Sequence, residues 1–167
     1  MEECPHFSIA PLSETHSALL DAYGGCVVQI PGIVLEKAFR LNDGRLLVVT
    51  TDNCPFEEGF HISLIDSDGS LLESAHRVIP YHPGVLAKLF SVGEETIKIV
   101  FHGGEAIKVT VVSVASRRPA GFLQEQFRSG NGLLGKHYLK ITCTQGAEIM
   151  DGNAAPREEK GEKSRSC

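Results

Sequence analysis

A chain of 167 residues with 42% hydrophobic and 22% charged side chains has the make-up of one ordinary globular domain, long enough to bury a core without disulfides or metals. Its formal net charge of -5 and pI near 5.8 argue against nucleic acid as the main partner, because phosphate binding needs a surplus of Lys and Arg on one face. The mild acidity is compatible with a basic protein partner, and seventeen glycines suit a chain with many tight turns.

In chain order, residues 1–25 read as an N-terminal segment in which Ser13 to Leu20 form a short helix, with Ser13 as cap and Ala18, Leu19 and Leu20 as its apolar part. Gly24-Gly25 would break it. Residues 26–148 read as a β-domain. Cys26 to Ile30 is short and β-branched, and Pro31-Gly32 signals a turn. From Ile33 to Leu41, Ile33, Leu35, Phe39 and Leu41 share one parity and Glu36 and Arg40 the other, a half-buried strand interrupted by Lys37. Asn42-Asp43-Gly44 is a hairpin connector. The return strand, Leu46 to Thr51, is apolar on both parities, which predicts a central position covered on both faces.

A polar loop from Asp52 to Gly59 follows, then a strand from His61 to Asp66 with Ile62 and Leu64 on one face. Asp66-Ser67-Asp68-Gly69 turns the chain into Leu71 to Val78. Pro80 to Gly84 is a proline-stiffened loop, and Val85 to Val92 is another strand. Thr96 to His102 alternates cleanly, Gly103-Gly104 turns, and Ile107, Val109 and Val111 answer. The apolar phase then slips to Val112 and Val114, which predicts a bulge near Val111-Val112 or a strand that crosses from one buried face to another. Pro119 to Phe127 reads as a second short helix ended by Gly130. Lys136 to Thr144 is the last strand. Residues 149–167 read as a disordered tail, since the charged run from Arg157 to Lys163 offers nothing apolar to bury. The expected fold is mainly β: an antiparallel sandwich or partly open barrel with one or two short helices.

The motifs are weighed by context. Gly130 to Lys136 fits G-x-x-x-x-G-K, but His137 stands where a phosphate loop needs Ser or Thr, and a strand follows where it needs a helix. A glycine turn is the simpler reading. Aligning Gly69 with the sixth position of a calcium loop puts Leu64 first and Ala75 last, so both end ligands are missing. His61, His76, His82 and His102 match no zinc spacing, although a sheet can bring distant histidines together. Neither a metal nor any other cofactor is expected. Five cysteines at 4, 26, 54, 143 and 167 form no C-x-x-C pair, which suggests a reducing, cytoplasmic setting. No apolar run approaches the roughly 20 residues that cross a bilayer, so no membrane partner is expected.

Two aromatic-bearing loops remain. Phe56, Glu57, Glu58 and Phe60 lie in one, and Tyr81 and His82 in the other. Large aromatics among acids suit recognition of another protein, whereas the bland alternative tucks Phe56, Phe60 and Tyr81 into the core. The sequence therefore leads to a non-enzymatic protein-interaction module, an inhibitor- or immunity-like acidic β-domain, with self-association into a homo-oligomer open to it. The alternative is a small-ligand or metal-binding β-barrel, or a hydrolase using Cys54 or a histidine cluster.

Overall fold

The computed structural model describes residues 1–52, 57–80, 86–102, 104–117, 127–131 and 135–144. The described chain forms β1 (Glu2–Glu3), β2 (Ser8–Pro11), β3 (His16–Leu20), β4 (Cys26–Pro31), β5 (Val34–Arg40), β6 (Leu46–Thr51) and β7 (Glu57–Ile65). It continues with β8 (Leu71–Pro80), β9 (Leu86–Ser91), β10 (Thr96–Phe101), β11 (Ala106–Ser116), β12 (Arg128–Ser129) and β13 (His137–Thr144). These strands make three sheets in the orders β1-β5-β6-β7-β8-β12, β13-β11-β10-β9 and β2-β3-β4. All pairings are antiparallel.

The six-stranded sheet is the middle layer. Along β6 the side chains alternate between two cores: Leu47 and Val49 join Ile62, Leu64, Ile97, Ile99 and Val109, whereas Leu46 and Val48 join Leu19, Ile30, Ala38 and Ile65. The four-stranded sheet thus covers one face and the three-stranded sheet the other. This is the two-sided burial that the parity of Leu46 to Thr51 implies, and every residue of β6 is buried. The expected alternations in β10, β11 and β13 also hold. Ile97, Ile99, Phe101, Ile107, Val109, Val111, Leu139 and Ile141 all enter the first core.

Turn chemistry sets the hairpins. Gly44 lies at φ +90°, and its N–H donates to the Leu41 carbonyl while the Leu41 N–H donates to Arg45. The turns ending at Gly25, Ser70 and Glu105 repeat the same pair of bonds, each with a left-handed glycine before its last residue.

Several expectations are corrected. No described residue is helical. The segment expected as a helix from Ser13 to Leu20 instead contains β3, paired with β2 and β4, because Leu19 is buried in the second core and Ser17 is buried with its hydroxyl donating to the Gly32 carbonyl. A short apolar run fits either state, and cross-strand pairing decided for the strand. The expected helix from Pro119 to Phe127 lies outside the described residues except for Phe127, which is a buried core side chain. None of the three sheets closes into a barrel. The tail also lies outside the described residues. The N-terminal 25 residues are built into the layers, with β1 on the edge of the middle sheet and β2 and β3 in the three-stranded one.

Two bulges explain the irregular sequence phases. The β5–β6 register shifts between Leu35 and Lys37, so Leu35 packs on the second core and Phe39 on the first, although their parity is the same. On β11 the register with β13 shifts between Val111 and Ser116, where the sequence phase slips.

The outer four-stranded sheet is tied to the middle one by a fully buried carboxyl group. Glu73 of β8 is 0% exposed. Its Oε2 accepts from the backbone N–H groups of Tyr138 (2.6 Å) and Leu139 (2.8 Å), and its Oε1 lies 3.0 Å from Nδ1 of His137. These bonds serve the opening of β13, opposite the bulge in β11. Arg77 adds a second tie, 2.8 Å from Glu105, and Arg45 a third, donating to the Val112 carbonyl over the Tyr138 ring.

Glu73→Ala leaves two buried backbone donors without an acceptor. It is expected to lower stability by about 3 kcal/mol or more, read from urea unfolding, with Glu73→Gln losing less. A loss below about 1 kcal/mol for Glu73→Ala contradicts this role.

Candidate functional site

Polar side chains converge where the three-stranded sheet meets the middle sheet. Residues on β7 and β8 alternate faces, so Phe60, Ile62, Leu64 and Ala75 point into the first core while His61, Ser74 and His76 point the other way. His61 and His76 are direct register partners. Thr50 stands opposite His61 and Arg128 opposite His76, so one row across four strands reads Thr50, His61, His76, Arg128.

Above this row the three-stranded sheet leaves a cleft of about 580 Å³. Thr15 and His16 border it from the start of β3, Gln29 and Pro31 from β4, and Leu71, Ser74 and His76 from β8. His61 and Asp52 complete the lining. The size falls within the range of small-molecule sites, and the lining mixes a few apolar surfaces with placed polar groups.

The histidines differ in their environments. His61 Nε2 lies 2.8 Å from Asp52 Oδ1, with the imidazole 12% exposed, and its Nδ1 is buried without a hydrogen-bond partner. The His76 ring lies 6.0 Å from that of His61, tilted by 34°. Partial burial holds the His76 imidazole below the usual histidine range. His61 and Arg128 push it the same way, and Asp52 opposes them. His16 Nδ1 is 2.9 Å from the Thr15 hydroxyl.

Other candidates resolve differently. Ser129 Oγ and Glu73 Oε1 both approach the same nitrogen of His137, at 3.4 and 3.0 Å, while Nε2 is buried and unpartnered. A nucleophile–base–acid relay needs the two partners on opposite nitrogens, so this cluster is structural. The glycine-lysine run joins β12 to β13 and has no helix after it. A Cβ on Gly130 would strike the Ser74 hydroxyl and one on Gly135 the Asn131 backbone, so both glycines answer to packing. Asn131 holds the turn by donating to the carbonyls of Leu72 and Lys136. Burial pushes the Cys143 thiol above its usual range, the opposite of nucleophile activation. Among the described residues no three His, Cys, Asp or Glu side chains are placed to hold a metal, and no helix is long and apolar enough to cross a membrane.

Of the residues expected to bind a partner, Phe60 is 4% exposed and packs against Phe101 and Phe127 in the first core. Glu57 and Glu58 open β7, paired with Pro80 and Ile79 of β8. Phe56, Tyr81 and His82, like Cys54, lie outside the described residues. His102 stands exposed in the β10–β11 turn, away from the cleft. Sequence reasoning named His61 and His76 but not their contact, and it missed His16, Gln29 and Asp52 as neighbours. Only the strand register reveals these. No family model, no curated protein and no solved structure matches the chain.

The titration of His76 is the direct check on this geometry. His61→Phe or Arg128→Ala removes a repelling group and should raise its midpoint, whereas Asp52→Asn should lower it, followed by the imidazole proton signals in NMR. Because folding disfavours the proton on His76, its share of stability is present above the ordinary histidine pKa and lost as pH falls through it. A His76 midpoint at or above the free-histidine value contradicts the geometry.

Proposed function

We propose that the chain is a non-enzymatic binding module that holds a small ligand in the cleft between β3–β4 and β7–β8. One observation carries this reading: side chains from two sheets, His16 and Gln29 on one and His61, Ser74 and His76 on the other, converge on a recess of about 580 Å³. Five polar residues bordering one recess place donors and acceptors near a ligand.

The same groups are poorly arranged for catalysis. His61 spends Nε2 on Asp52 and buries Nδ1, so it presents no free lone pair to the cleft. Ser74 carries the only hydroxyl among the lining residues of β7 and β8, and its immediate neighbours are the Ser63 register partner and Gly130. Recognition of a partner protein through the acidic loops is the other reading, and it draws on Glu57 and Glu58 at the open end of the β7–β8 hairpin. The buried position of Phe60 removes one of its aromatic anchors.

A fragment screen on ¹⁵N-labelled protein tests the cleft. Binding fragments should shift the amides of His16, Gln29, His61, Ser74 and His76 together. Gln29→Trp, which fills the recess from an exposed position on β4, should abolish those shifts and leave the spectrum of the first core intact. Fragments that bind elsewhere with the cleft amides unmoved would overturn the reading.

A further inference from the structure

The chain carries net negative charge, yet the cleft and its border gather cationic or proton-accepting groups. His16 lies on β3, His61 on β7, His76 on β8 and Arg128 on β12. Asp52, beside β7, is the one carboxyl group among the described lining residues, and its Oδ1 is already engaged by His61 Nε2 at 2.8 Å. The β4 and β8 lining residues other than His76 are uncharged: Gln29, Pro31, Leu71 and Ser74. Hydroxyl and amide groups therefore border a row of two imidazoles and a guanidinium whose one carboxyl neighbour among the described lining residues is already engaged.

We propose that the cleft receives an anionic group, a carboxylate or a phosphate, seated beside His76 within reach of Arg128. This rests on the small-ligand reading above and names the chemistry of the ligand. Two features argue for an anion over a cation or a neutral group. His76 and Arg128 are opposite one another in register, so an anion placed beside them meets an imidazole and a guanidinium in one plane of the sheet. Among the described residues a cation would meet His76 and Arg128 with a single, already bonded carboxylate to hold it.

Coupling to protons follows. In the empty cleft His61 and Arg128 oppose a proton on His76. A bound anion supplies the missing counter-charge and favours that proton, so binding takes up a proton and tightens as pH falls. Each unit by which the anion raises the His76 midpoint makes binding about tenfold tighter below it than well above it.

The full chain is titrated with inorganic phosphate and with acetate at about pH 5.5 and about pH 8, and acetamide serves as the uncharged counterpart of acetate. Histidine ring and cleft amide signals are followed by NMR. The expected result is saturable shifts with an anion, at least about tenfold tighter at the lower pH, and a His76 midpoint that rises on binding. Acetamide should not reproduce them. Preference for phosphate over acetate, or the reverse, identifies which anion the site is shaped for. Arg128→Ala, at an exposed position on β12, should weaken anion binding at both pH values, and His76→Asn should remove the pH dependence. Cleft shifts with neutral compounds but none with either anion would overturn the anion assignment and leave the binding cleft standing. No cleft shifts with any compound would remove both.

Discussion

All six side chains of β6 are buried, and because a strand alternates its side chains between two faces, the sheet that contains it must be covered twice. Leu47 and Val49 take the four-stranded sheet and Leu46 and Val48 the three-stranded one. Each of these aliphatic side chains contributes about 2 kcal/mol by leaving water, and no single covering layer could collect all four. The three-layer order, the two cores and the recess between the layers follow from that requirement. The three-stranded sheet is smaller than the sheet it covers. Where it stops, the second face of β7 and β8 borders the cleft, and the described lining residues there are His61, Ser74 and His76 with Leu71.

The two interfaces of the middle sheet are built differently. Toward the four-stranded sheet, the apolar core is crossed by Glu73, Arg77 and Arg45, each reaching a group on the opposite layer. Buried polar ties of this kind set alignment more than they add stability, because the cost of removing the charged groups from water offsets much of the attraction. Glu73 fixes where β13 begins against the bulged β11, and so fixes which residues of the outer sheet face inward. Toward the three-stranded sheet the described ties are lighter, chiefly the Thr50 hydroxyl donating to the Pro31 carbonyl and the aliphatic contacts of Leu19 and Ile30. A close approach at Gly32, where a Cβ would meet the Thr50 side chain, sets how near the layers come.

Much of this was legible in the residues. The double parity of Leu46 to Thr51, the glycine-bearing turns and the phase slip after Val111 each have a local physical cause, and each appears where the sequence puts it. The misread segment, Ser13 to Leu20, is short, and three consecutive apolar residues carry no period that separates a helix turn from a strand. Its strand state comes from β2 and β4 on either side, which is information held elsewhere in the chain. Parity alone puts Leu35 and Phe39 of β5 on one face, but the bulge at Glu36 sends them to opposite cores. The cleft was the least legible part. His61 and His76 are fifteen positions apart in the sequence and meet only because the β7–β8 register makes them partners, and His16 arrives from a different sheet.

Double coverage of β6 is tested most directly by native-state hydrogen exchange. The amides of Leu46 to Thr51 should exchange only on global unfolding, at least about a hundredfold more slowly than those of the edge strands β2, β4 and β9. Exchange of β6 at rates comparable to those edges would mean that one of its faces is open to water, and the three-layer account would fail.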